Sequence, residues 1–244
     1  MSTYFFLMCQ LPPMPSALGE RIPLSFGEIT GMIRRNVLPE HLDLVVTRLQ
    51  AADVFNWEQA DQGRGIFLEG GTLSEEEIAG HKNLPPFISV FREERERGLN
   101  RPYVYDRLWE LYYAHALAVA ERYACRFLID YLSWEVELRM ALTAWRVKEQ
   151  SGNIEEHMIL RHIRSRDFSN LIAQVKTRQN PLEVERYLDE ERLRQVYRYE
   201  GISGFSIDAL LGYLTRAEIY HRWQKIGENL NMNIDTFLLP GDSK

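Results

Sequence analysis

The chain has 244 residues, 45% of them hydrophobic, and a formal net charge of −6. This length can bury a sizeable core without disulfides, and the acidic balance argues against a general nucleic-acid binder, which would show a basic stripe. Cys9 and Cys125 have no Cys or His partners at metal-ligand spacing, so they read as reduced thiols.

In chain order, Tyr4 to Leu11 is an apolar run ended by Pro12 and Pro13. Its length fits a strand or a helical turn, and it is read as a helix. No basic n-region or small-residue cleavage site accompanies it, so it is expected neither to span a membrane nor to export the chain. Ser25 with Glu28 forms a capping box flanked by Leu24 and Ile29, which starts a helix at Phe26. Pro39 opens another helix, with Leu42, Val45, Val46 and Leu49 on one side, fading near Trp57.

Gly63, Gly65, Gly70 and Gly71 mark a loop over Asp61 to Gly71. It invites comparison with a phosphate cradle, but it lacks both a Gly-Lys-Ser/Thr ending and G-x-G-x-x-G spacing, so no nucleotide site is expected. Ser74 with Glu77 is a second capping box. Pro85 and Pro86 open a helix that ends near Gly98, and its Arg92 to Arg97 mix both charge signs as a solvated face does.

The run from Tyr103 to Gln150 contains no Gly and no Pro. Apolar residues recur at helical spacing from Leu108 to Trp145, and Leu111 to Ala120 carries no charge, with His115 its polar member. Unbroken, it would reach about 70 Å at 1.5 Å per residue, against roughly 45 Å for a compact chain of this size. Either the helix bends, with Ser133 the expected break, or the protein is elongated around a long central helix.

Beyond Ser151 and Gly152, Asn153 and Asp167 are expected caps, and Pro181 a first-turn proline after Asn180. Pro181 to Glu200 is charged and amphipathic. Ser206 caps a helix that carries Leu210, Leu211, Leu214, Ile219 and Trp223, with Gly227 placed to end it and a last short helix over Ile234 to Leu239. No alternating strand pattern occurs, so the fold class is all-α, a single domain over 1–244 with possible subdomains 1–102 and 103–244. Phe127 to Asp130 with Trp145 echoes Phe205 to Asp208 with Trp223, as two related helical units would.

Sites are scarce in the sequence. His157 and His162, five apart, would point about 140° away from each other on a helix, unlike the i, i+4 pair of a zinc motif. His115 reads as a hydrogen-bonded core histidine, Asp130 as an ion pair with Arg126, and Glu135 as another with Arg139. Trp109, Trp134, Trp145 and Trp223 read as core. No nucleophile motif is present; no catalytic, cofactor-binding or metal residue and no small-molecule ligand is expected, and interaction is the default role.

Three stretches together, Tyr4 to Pro13 with Pro23 to Phe26, Tyr131 to Lys148, and Phe205 to Trp223, resemble a bacterial family of uncharacterised proteins found with V-type ATP synthase components, itself similar to the C-type stalk component of that rotary enzyme, called d in eukaryotes. An Arg-Trp pair recurs in those relatives. Arg222-Trp223 fits it, Trp145-Arg146 reverses it, and Glu137 stands where the C-type relatives often have Asn before the Leu-Arg pair, here Leu138-Arg139. The resemblance implies a funnel-like helical, non-catalytic subunit that joins the central stalk to the membrane proteolipid ring and transmits torque during ion transport, peripheral on the cytoplasmic face of the inner membrane. A free-standing helical adaptor, and a small enzyme using Asp130 or His115, are the alternatives.

Overall fold

A computed structural model describes residues 3–99, 101–163 and 166–238, and side chains in that range as far as residue 228. Ten α-helices and two 3-10 turns, with no strand, occur among the described residues. The helices are α1 (Phe5–Gln10), α2 (Phe26–Asn36), α3 (Leu42–Asp61), α4 (Glu75–Ala79), α5 (Pro86–Glu96), α6 (Tyr105–Arg122), α7 (Arg126–Glu149), α8 (Ser169–Lys176), α9 (Pro181–Tyr199) and α10 (Ile207–Leu238). The fold is all-α.

Local chemistry sets most helix starts. Both capping boxes form, Ser25 with Glu28 on α2 and Ser74 with Glu77 on α4, and each satisfies two orphan amides reciprocally. Asn180 accepts from the Leu182 amide ahead of Pro181, and Asn153 from the Glu155 amide at the start of a 3-10 turn. Asp167 bonds the Ser169 amide at 2.8 Å, one residue before the cap position of α8. Pro39 opens a 3-10 turn, Pro39–His41, that leads into α3, and α3 continues past Trp57 to Asp61.

The Tyr103 to Gln150 run is not one helix, and its break is not at Ser133, which lies inside α7. The chain reverses at Tyr123, Ala124 and Cys125. Ala124 adopts the left-handed conformation (φ 49°), the Cys125 amide returns to the Ala120 carbonyl at 2.9 Å and the Ala124 amide to that of Glu121 at 3.0 Å. This is the double-bonded helix stop that glycine usually makes, and Gly98 makes the same one after α5. α7 then runs back along α6, so that Arg139 lies over the Trp109 ring at 4.1 Å, each about fifteen residues from the turn. The run therefore supplies a hairpin and not a long central rod. Because alanine tolerates the left-handed region poorly, Ala124→Gly should raise stability by about 1 kcal/mol, read as a higher urea midpoint; a lower midpoint would contradict this account of the turn.

A second hairpin joins α9 to α10, closed by the ion pair of Glu200 with Arg216 near its loop and by Asp189 with Trp223 deeper in. α7 packs against both of its arms. α3 and α5 each lie antiparallel to α6: Asp43 at the start of α3 meets Tyr123 at 2.6 Å, and Phe87 at the start of α5 meets Tyr112. Helices on either side of residue 102 thus pack on each other. The core gathers Ile29, Ile33, Leu108, Phe127, Leu138 and Leu210, all buried. Gly227 does not end α10, which runs on to Leu238 and absorbs the expected last helix; Leu239 lies outside the described residues. A glycine inside a helix costs about 1 kcal/mol, and with neither a left-handed turn nor a proline behind it the helix continues.

Candidate functional site

The glycine loop after α3 turns inward. Asp53, fully buried on α3, accepts the Thr72 amide at 2.8 Å, the Leu73 amide at 3.0 Å and the Thr72 hydroxyl at 2.5 Å. Asn56 clamps both backbone groups of Leu68 at 2.7 and 2.8 Å. Burial pushes the Asp53 carboxyl up, opposed by these Thr72 and Leu73 bonds. The backbone just beyond the glycines is thus anchored to α3 by the Asp53 carboxylate.

A polar spine runs through the helical layers. Asp189 on α9, fully buried, accepts from Arg192 at 2.9 Å, from the Trp223 indole at 2.7 Å and from Arg222. Arg192 also grips Glu135 of α7 through three contacts at 2.9 to 3.2 Å. Burial opposes ionisation of Glu135, but the Arg192 guanidinium outweighs it and holds the carboxyl below the usual range. Arg48 of α3 reaches Thr215 at 3.0 Å and Glu218, both on α10. The Arg222-Trp223 pair therefore converges on Asp189, which its charged surroundings in the sequence conceal. A signal was present all the same: Asp189 shares a helical stripe with Leu193 and Val196.

At the far end of α6, Glu58 accepts from the Trp109 indole at 2.8 Å and from the Tyr103 phenol, while Asp61 accepts from Tyr105 and Arg95. Burial, then these carboxylates, push both phenols up to about 12. Arg139 belongs to this cluster through the Trp109 ring, so the expected Glu135 pair with Arg139 gives way to Glu135 with Arg192. No ion pair joins Asp130 to Arg126 among the described residues; Asp130 is half-buried on α7. His115 is half-buried against the Phe87 ring, where burial and then Arg122 push its pKa down.

His157 follows a 3-10 turn and His162 a loop, so neither stands on the surface helix expected for them; His157 meets Asp106 at 3.3 Å. Trp134 and Trp223 are buried, Trp109 and Trp145 partly so. Glu137 is buried and bonds Arg166, at its amide (2.6 Å) and guanidinium (2.5 Å), tying the segment before α8 to α7. The echo of Asp130 in Asp208 does not hold in register. Asp208 is the second residue of α10 and caps α7 from outside, accepting the Phe127 amide at 3.1 Å, whereas Asp130 is the fifth residue of α7.

The mixed-sign stretch of α5 is salt-bridged and largely exposed, as a solvated face is. In Arg92 to Arg97, Arg92 lies over Trp57 and Glu94 pairs with Arg107 at 2.7 Å, while Arg95, paired with Asp61, Glu96 and a Glu93–Arg97 pair face outward. On α9 the exposed charges are Glu183, Glu185, Arg186, Arg194 and Arg198. The surface at the start of the chain is different in kind. Tyr4 ties α1 down, donating its amide to the Phe205 carbonyl at 2.7 Å and placing its phenol 2.5 Å from the His41 ring. The Tyr213 hydroxyl donates to the Pro12 carbonyl at 2.8 Å. On α1 Phe5 and Phe6 are exposed, as is Phe205, whose ring lies 4.9 Å from that of Phe5. Beside them lies a groove of about 450 Å³ lined by Met8, Pro12, Met14, Tyr197, Tyr213 and Arg216. A smaller cleft of about 280 Å³ between α2 and α10 carries Glu28, Glu69, His221 and Lys225, the last paired with Glu69 at 3.1 Å. No group of three or more metal-ligating side chains gathers among the described residues.

The molecule is an all-α body of interlocked helical hairpins, with Asp53, Asp189 and Glu137 buried among them and Phe5, Phe6 and Phe205 exposed at one end. The chain belongs to the family described as "Protein of unknown function (DUF2764)", whose model matches residues 1–232. No curated protein and no solved structure matches it significantly.

Proposed function

We propose that this protein is a non-catalytic central-stalk subunit of a bacterial V/A-type rotary ATPase, seated between the rotor stalk and the membrane proteolipid ring on the cytoplasmic face. The observation that supports the reading is where the three stretches lie that resemble the uncharacterised bacterial family found with V-type ATP synthase components. The first is α1, the second is most of α7, the third is the start of α10; α1 is bonded to Phe205 and Tyr213 of the third, and α7 packs on α10. They form one continuous body rather than scattered likenesses. Among the described residues no helix is long and apolar enough to cross a membrane, as befits a subunit that meets the ring from the aqueous side. Rigidity for torque comes from the spine of buried Asp189 with the partly buried Arg192 and Glu135, which staples one hairpin to the other, not from a single long helix.

Contacts made in water hold register through complementary charge, and the exposed Glu183, Glu185, Arg194 and Arg198 on α9 supply both signs. Tagged protein expressed in its own host is expected to copurify with the stalk and the detergent-solubilised ring, and to dissociate as salt is raised. Isolation of an intact V-type ATPase without this protein, while it elutes free, would assign it instead to an adaptor role outside the enzyme.

A further inference from the structure

We propose that the junction where α2 and the glycine loop meet α10 is an acid-sensitive latch, closed while the His221 imidazole is neutral and released when it takes a proton. His221 is only 8% exposed, and its Nε2 is shut away from water with no hydrogen-bond partner. Its ring lies 5.6 Å from that of Phe26, the first residue of α2, and Gly70 of the loop approaches the same Phe26 ring too closely to carry a methyl. Three segments distant in the chain thus meet around two rings. The polar ties between them are weak. Lys225 pairs with Glu69 at 3.1 Å, but both side chains are largely in water, where an ion pair contributes little. Gln224 accepts the Ile22 amide at a long 3.3 Å. Closure therefore rests on the packing of Phe26 against His221 and Gly70.

A proton changes what that packing costs. In the neutral imidazole Nε2 is one polar atom left unserved; in the cation both nitrogens are donors, and Nε2 becomes a charged N–H buried without an acceptor. The neighbouring carboxylates are engaged elsewhere. On α10, Glu218 is bonded to Arg48 and Glu228 accepts from Gln224 at 3.0 Å, while Arg222 is bonded to Asp189. Glu28 on α2 is turned to the Ser25 amide and hydroxyl, and Glu69 in the loop to Lys225. Arg21, ahead of α2, adds positive charge to the same cleft. Burial and then Lys225 lower the His221 pKa below its ordinary 6.5, against the opposing pull of Glu69 and Glu228. Once the junction opens, the imidazole reaches water and regains the ordinary value. The stabilisation of the closed form is thus complete above pH 6.5 and is lost as pH falls through 6.5 toward the depressed value. α2 has 11 residues, a length at which a helix without packing is marginal in water, so its start frays when Phe26 is released.

The latch goes beyond the ATPase reading, and its assay contains no ATPase, so each can fail alone. Hydrogen exchange of the full-length protein is followed at about pH 7.5 and about pH 5.5, each rate divided by the intrinsic rate for that pH. The Glu28, Ile29 and Thr30 amides at the start of α2 are expected to exchange faster at both pH values than the amide of Leu138, buried within α7. On acidification they should lose protection several-fold, up to about tenfold. His221→Phe keeps a ring against Phe26 and cannot take a proton, so its loss should stay below about twofold. An NMR titration of the wild-type imidazoles should place the His221 midpoint below 6.5. A midpoint at or above 6.5 overturns the proposal whatever the variant does. An equal loss of protection in His221→Phe overturns it as well. So does exchange at the start of α2 no faster than at Leu138, since α2 would then be released only by unfolding of the whole molecule.

Discussion

Asp189→Ala is expected to lower the unfolding free energy by about 3–5 kcal/mol, the range for removing one partner of a buried charge pair, and the melting temperature by about 10 °C in a chain of this length. Asp189 is completely buried and serves three donors: Arg192 on its own helix, and the Arg222 guanidinium and Trp223 indole on α10. Its loss leaves an indole N–H with no acceptor in the core and returns Arg192 to Glu135 alone. The damage is out of proportion to the atoms removed, because desolvation of the remaining groups is still incurred without the bonds that offset it. Glu190→Ala, the neighbouring position with a half-exposed carboxylate, is the control and should shift stability by no more than about 0.5 kcal/mol. Equal guanidinium midpoints for Asp189→Ala and wild type would remove Asp189 from the account of what joins α9 to α10.

Gly70→Ala should cost about 3 kcal/mol, through two effects at one atom. Gly70 sits at φ 100°, outside the region that an L side chain adopts easily, and an added methyl would collide with the ring of Phe26. That ring cannot retreat cheaply. It is buried, opens α2 and packs 5.6 Å from the His221 ring of α10. His221 itself is held neutral-leaning by burial and then by Lys225, so forcing Phe26 aside disturbs a site that already disfavours charge. Phe26→Leu in the same background should recover the steric part and leave the backbone strain, giving a measurable coupling between the two positions. If the double variant is simply the sum of the singles, the contact between Gly70 and Phe26 carries no energy.

Helix starts were legible in the sequence because they are local: Ser25 and Ser74 bond groups three residues away, and nothing distant alters that choice. The stop at Ala124 was not legible. Its bonds are those that glycine makes, but the residue in the left-handed position is alanine, and the packing of α7 on α6 holds it there. Neither Gly nor Pro marks it, and the hydroxyl of Ser133 lies mid-helix, where no free amide needs a cap. The extra length of α10 beyond Gly227 escaped for the opposite reason, since glycine permits a stop without requiring one.

What the sequence determined by itself was the all-α class, most helix starts, and which faces are apolar, since each depends on spacing along the chain. What only the tertiary structure decided was the partner of each buried charge. Glu135 has Arg139 one turn away and takes Arg192 from another helix; Arg139 turns to Trp109; Asp53 takes the Thr72 and Leu73 amides; Arg222 and Trp223 meet at Asp189. An exposed i, i+4 pair is worth only a few tenths of a kcal/mol, whereas a carboxylate shut away from water must find whichever donors the packed helices bring within about 3 Å, and those donors are set by how the hairpins cross, which no local spacing records.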